Sequence, residues 1–160
     1  MVKRSEKVAF MQVVDGDKAV YKRMTGFTEF AVSKNPKEYS RKYIDEDIER
    51  SEVIAYSTAI SYKFDLGRGN LVHDLLTSVA DNEYVGEDAQ CSIIVADFSQ
   101  SDSSTDRVRA IMRRFTISPQ NEGDDSDSYT VSGSLKAIGA PEFGFVTTND
   151  KWQTVTFEKA

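Results

Sequence analysis

Residues 53–66 read VIAYSTAISYKFDL, and their alternation decides the fold class. Every second residue is Ile54, Tyr56, Thr58, Ile60, Tyr62, Phe64 and Leu66, and only Thr58 in that set is not large and apolar or aromatic. The interleaved set is Val53, Ala55, Ser57, Ala59, Ser61, Lys63 and Asp65, which is small or polar. Period two places the two sets on opposite faces of an extended strand, whereas a helix needs apolar residues at i, i+3 and i+4. A single strand over all of 53–66 exceeds the usual length of about 5–6 residues. The expectation is one long strand with a greasy face and a smooth, wettable face, able to floor a barrel or run on into a neighbouring subunit.

The chain around this stretch has 160 residues, which suggests one domain spanning 1–160 with a core that needs no disulfide staple. Its single cysteine, Cys91, lies in the apolar run CSIIVADF and reads as a small buried hydrophobe. The basic start MVKRSEKVAFMQVV lacks the apolar segment of a secretory signal, and no run is long enough to span a membrane; synthesis in a cytoplasm is expected. Net charge is −6, from 26 acidic and 20 basic residues. That balance argues against specific nucleic-acid binding, which needs a basic face, and suits a surface that nucleic acid passes without sticking. Seven Tyr and nine Phe favour strands.

Upstream, residues 1–11 read as a flexible arm or an edge strand, and Asp15-Gly16-Asp17 as the turn of a hairpin returning over 19–24. Residues 26–34 read as a strand, broken by Asn35-Pro36. Residues 37–52, KEYSRKYIDEDIERSE, are dense in charge. They fit either a short solvated helix over 44–50 or a surface arm with some β character over 39–44. A charged loop of this length with a few aromatics is a natural contact element for a partner.

Downstream, Gly67-Arg68-Gly69 ends the long strand and Asn70 is placed to cap a helix. Leu71, Val72, Leu75, Leu76 and Val79 share one face, so a helix is expected over about 70–81, packed on a sheet. Strands are expected over 90–98 and 107–118, with SQSDSSTD (99–106) as a polar loop and Pro119 as a stop. A strand over 129–138 is followed by a turn at Gly139-Ala140-Pro141. A final hairpin joins 143–147 to 152–158. The sum is a mainly β fold: an antiparallel β-sandwich or barrel with one flanking α-helix and a long charged arm over about 35–52.

Chemistry is sparse. His73 is the only histidine and, with one cysteine, makes a zinc site of His and Cys untenable. No nucleophile motif surrounds Cys91. Glu122, Asp124, Asp125 and Asp127 miss the spacing of a calcium loop and read as a solvated turn. No catalytic, metal or cofactor residue is assigned. Arg109 and Arg113 alternate with Ile111 and Phe115, a pattern of interface or ion-pair arginines that could meet acidic loops of a neighbour.

Three stretches together resemble a known family: KEYSRKYIDEDIERSEVIAYSTAISYKFDL, then GRGNLVHDLL, then RAIMRRFTISPQNEGDDSDSYTVSGSLKAIGAPEFGFVTTNDKWQTVTF. Their order is similar to that of the tail tube proteins (major tail proteins) of long-tailed bacteriophages, from about Thr25 to the end. The resemblance implies a structural virion protein that forms hexameric rings, stacked into a hollow tail tube through which DNA passes. It implies partners among other tail proteins (tape measure, tail terminator, baseplate or tip), no cofactor and no membrane. The charged segment becomes an inter-subunit or inter-ring arm, carried by Lys37, Tyr39, Arg41, Lys42, Tyr43, Asp45, Glu46, Asp47 and Arg50, less ordered in the free subunit. Ser57, Ser61, Lys63 and Asp65 become a lumen or subunit-contact face. Tubes of bacteriocins and secretion systems share the family's fold and are alternatives. From other classes, the rivals are a monomeric ligand-binding β-barrel and an enzyme.

Overall fold

The computed structural model describes residues 1–102 and 107–160. Its strands are β1 (Lys7–Asp15), β2 (Lys18–Arg23), β3 (Phe27–Ser33), β4 (Pro36–Arg41), β5 (Arg50–Tyr56), β6 (Ala59–Asp65), β7 (Gln90–Asp102), β8 (Arg107–Glu122), β9 (Thr130–Thr147) and β10 (Thr154–Lys159). One α-helix, α1 (Leu71–Asp81), lies between β6 and β7. The eight-stranded sheet runs β10-β2-β1-β7-β8-β9-β6-β3, and β10 also pairs with β9. Six strands therefore close into a barrel, while β6 and β3 extend from one end of β9. The mainly β architecture with a single helix is as the sequence leads one to expect.

Two cores follow from this topology. Phe10, Ile94, Ala96, Val108 and Val146 fill the barrel, with Trp152 and Phe157 beside them. The alternate residues of the same strands, such as Met11, Ile93 and Phe115, point outward under α1 and β6. Strands β1 and β7 are thus covered on both faces, which explains why their sequence is apolar on both parities. The reading of residues 1–11 as a flexible arm or edge strand gives way to a central β1, paired with β2 and β7.

The helix forms where the sequence places it. Asn70 Oδ1 accepts from Val72 N at 3.0 Å and His73 N at 3.3 Å. Val72, Leu76 and Val79 are buried, each contributing about 1.5–3 kcal/mol over an exposed position. His73 is buried too, and its ring stacks on Phe64 with centroids 4.4 Å apart. Gly67 N donates to His73 Nδ1, leaving Nε2 to donate to Thr25 O at 2.7 Å. The histidine is a structural tie between the helix and two loops. Cys91 is buried, and burial pushes its thiol up to about 12, in keeping with a structural role.

Three expectations fail for local reasons. Pro119 does not end its strand: β8 runs through to Glu122, and the register shifts between Pro119 and Asn121, a bulge that absorbs the missing N–H. Gly139-Ala140-Pro141 is no turn. It is a bulge within the 18-residue β9, opposite Arg113, with Gly139 at φ +70. The polar segment from Ser99 continues β7 as far as Asp102; the remainder of that expected loop, 103–106, lies outside the described residues.

Barrel closure depends on Gly144, which pairs with Ala110 on one side and Lys159 on the other. A Cβ there would run into the Glu158 carbonyl and sit 2.8 Å from Phe157 Cζ. Gly144→Ala is expected to cost about 1–3 kcal/mol by forcing β10 away. Guanidinium unfolding reads this directly, and an unchanged midpoint would refute the closure argument.

Candidate functional site

The alternation at 53–66 belongs to two strands, not one. Strand β6 keeps its greasy set inside, with Ile60, Tyr62 and Phe64 at most 2 % exposed. Strand β5 leaves the main sheet and pairs only with β4. On it, Ile54 and Tyr56 of the same set are 55 % and 62 % exposed. The break falls at Ser57-Thr58. Ser57 N donates to the Lys34 and Asn35 carbonyls, and Asn35 Nδ2 donates to Ser57 O at 3.0 Å. Asn35 sits at φ 46, a left-handed conformation that asparagine tolerates better than most residues. This knot is the root of a hairpin that projects from the body.

The arm is therefore longer than the expected 35–52 and more regular. The expected helix over 44–50 is absent, and the arm with β character takes its place, as a two-stranded antiparallel ribbon with a bulge next to Lys37-Glu38. Every residue of β4 and β5 is exposed. Ser40 and Ser51 share a hydroxyl hydrogen bond of 2.8 Å, and Arg41 lies over the Tyr39 ring at 5.0 Å. At the tip, Glu46 N donates to Tyr43 O, closing a turn. Arg50 Nε donates to Glu46 Oε2 at 2.8 Å while its guanidinium lies 5.8 Å from the Tyr43 ring centre. The turn thrusts Ile44 fully into solvent, and Ile48 is 78 % exposed.

All nine expected arm residues, Lys37 to Arg50, do sit on this hairpin. The expected smooth face does not stay together. Ser57 is in the break at the arm root, while Ser61, Lys63 and Asp65 lie on the outer side of β6. There Ser61 faces Ala31 on β3 and Ser134 on β9, and Lys63 faces Glu29 and Ser132. Ser134 in turn faces Ser118 on β8. The result is a four-stranded face of small and mixed-charge side chains. Asp65 accepts from Ser128 Oγ, and Lys63 is 3.9 Å from Asp124, whose carboxyl is held below its usual range chiefly by a hydrogen bond from Thr130 and then by Lys63.

The two arginines separate as well. Arg109 is exposed on the outer barrel face beside Ile111. Arg113 instead donates from Nε to Gly139 O at 3.0 Å, clamping the bulge of β9. The acidic turn is spent locally: Tyr129 donates to Glu122, Thr130 to Asp124, and Asp127 N to Asp125. Among the described residues, no group of three or more His, Cys, Asp or Glu is arranged to hold a metal.

Sequence reasoning missed one feature, a groove between the N-terminal segment and β3. Its two lobes, about 320 and 540 Å³, share Arg4, Lys7, Ala9 and Phe30. Arg4 spans it, donating from Nη1 to Lys7 O at 2.8 Å and from Nη2 to Phe30 O at 3.1 Å. The four cations at 3, 4, 7 and 23 were visible in sequence, but not that β3 folds across them.

No protein-family profile matches the chain, and no curated protein matches it.

The arm root makes a specific expectation. Asn35→Ala removes the bond to Ser57 and places an alanine at positive φ, weakening the root by about 1–2 kcal/mol. Trypsin cleavage at Arg41 and Lys42 should then accelerate roughly tenfold, with cleavage inside the barrel unchanged. Equal cleavage rates would show that the root does not hold the arm.

Proposed function

We propose that the chain is a self-assembling structural subunit, a tail-tube protein that forms rings stacked into a hollow tube for DNA. The observation that carries this reading is the projecting hairpin. An isolated two-stranded hairpin is marginally stable in water. This one holds Tyr39, Tyr43, Ile44, Ile48, Val53, Ile54 and Tyr56 exposed, all in one ribbon whose strands pair with no other strand. Exposed apolar groups gathered on one hairpin mark interaction surfaces. A protein that keeps such an element gains by burying it in a neighbour.

The rest of the fold is compatible with that role. Strand β3 pairs only with β6 and leaves an edge, which closed rings can cover. The outer face of β3, β6, β9 and β8 carries small side chains and charges of both signs, Glu29 and Asp65 with Lys63 and Lys136. Such a wall offers DNA phosphates no basic stripe to grip. In this reading the residue set Ser61, Lys63 and Asp65 belongs to the wall and the arm to the contacts between subunits or rings. Hexameric rings, the virion as location and the other tail proteins as partners belong to the same proposal, with bacteriocin or secretion tubes as the nearest alternatives. Against a monomeric ligand-binding barrel stands the barrel interior, which is filled by side chains such as Phe10, Ile94 and Val146.

Deletion of Glu38 to Arg50 tests the reading. Negative-stain images of the concentrated wild-type protein should show rings or hollow tubes. The deletion variant should keep the wild-type circular dichroism and melt, yet remain monomeric. A deletion variant that still polymerises, or a wild type that stays monomeric when concentrated, would overturn the proposal.

A further inference from the structure

We infer that the arm tip of one copy docks in the N-terminal groove of a second copy, with the acidic turn 44–49 as plug and the basic groove as socket. This deepens the self-assembly reading and rests on it.

The two surfaces are complementary in charge and in shape. The plug carries Asp45, Glu46, Asp47 and Glu49 around the exposed Ile44 and Ile48. Only Glu46 has an ion-pair partner among the described residues, the Arg50 that stiffens the turn. Three carboxylates and two isoleucines are thus presented outward on a closed turn, free to meet a partner. The socket carries Lys3, Arg4, Lys7 and Arg23 above an apolar floor of Ala9, Phe30, Val32 and Val95. No carboxylate lines either lobe. Glu6 is turned to the Lys3 backbone N–H, and Lys7 meets Asp97 only at 3.9 Å.

On a protein of net charge −6 this concave surface joins four cations to an apolar floor; the neighbouring hollow at Lys22, Arg23 and Arg68 is basic too but has only Leu71 as an apolar side chain in its lining. A generic anion does not need the apolar floor, and a generic apolar ligand does not need four cations. A short acidic segment with isoleucines needs both. The arm's own root, at Asn35 and Ser57, begins three residues after Val32 of the socket, and β4 and β5 pair only with each other. Strands of six and seven residues carry the tip about 20 Å from that root, the reach of a contact between subunits. Charge pairing of this kind sets partner orientation and speeds encounter more than it adds raw affinity.

Disulfide trapping in the full-length chain tests the docking. Ile44→Cys/Val32→Cys places thiols on plug and socket, both at exposed positions. Under mild oxidation it should give a ladder of linked oligomers at least tenfold faster than Ile44→Cys/Ile111→Cys, which offers the arginine-bearing outer face of β8 instead. Equal or reversed rates, or an intramolecular link without a ladder, would overturn the inference. A second arm uses charge reversal. Asp45→Lys/Asp47→Lys and Lys7→Glu/Arg23→Glu should each fail to associate alone and associate when mixed in equal amounts; mixtures that stay monomeric refute the pairing. A ladder without tubes would keep the docking and sink the tube reading. Tubes with equal trapping rates would keep the tube reading and sink the docking.

Discussion

The Arg113 guanidinium on the Gly139 carbonyl holds the feature on which the rest of the structure depends. Strand β9 must pair with β10 at one end and with β6 at the other, while β8 follows it along both halves. A continuous regular strand cannot turn from a closed barrel into an extended sheet. The bulge at Gly139–Pro141 makes the change of direction, glycine supplies the positive φ, and Arg113 satisfies a carbonyl that the disturbed ladder leaves over. Everything positioned beyond that point, including β6, β3 and the arm between them, takes its orientation from it.

That dependence explains what the sequence made legible. The helix was readable to within about a residue at each end, because Asn70 and the Leu71–Val79 stripe act through local geometry. Strand β7 was readable as central from its two-sided apolarity, whereas β1, equally central, reads in sequence as an arm or an edge strand. The alternation at 53–66 was readable as β but not as two strands, since period two reports which face a side chain takes and not which sheet it joins. Ile54 and Tyr56 look like core in sequence because nothing local marks them as exposed. Pro119 and Gly139 look like stops, and both are bulges, where a missing N–H or a positive φ is useful. The nine charged and aromatic arm residues were legible as a group from charge density alone. The socket was not, because its cations and its floor come from four separate segments.

The arm and the body divide the energetic work. The body buries two cores and ties its helix to its loops through His73. The arm buries almost nothing of its own and is held at Asn35 and Ser57. Such a division suits an element whose partner lies in another copy. In the proposed assembly its ordering would be completed by the neighbouring copy, and the exposed isoleucines at its tip would contribute only when covered. The mixed-charge face of small residues on β3, β6, β9 and β8 lies on the extension of the same sheet, so the proposed contact element and the proposed wall belong to one fold.

The central claim is that the hairpin 36–56 finds its stable surroundings in a second copy. Amide hydrogen exchange on the full-length protein, followed from dilute to concentrated solution, measures this most directly. The account predicts that amides of β4, β5 and the tip exchange quickly in dilute protein and become protected by at least tenfold on concentration, while barrel amides stay slow throughout. Arm amides whose exchange does not change with concentration would contradict it.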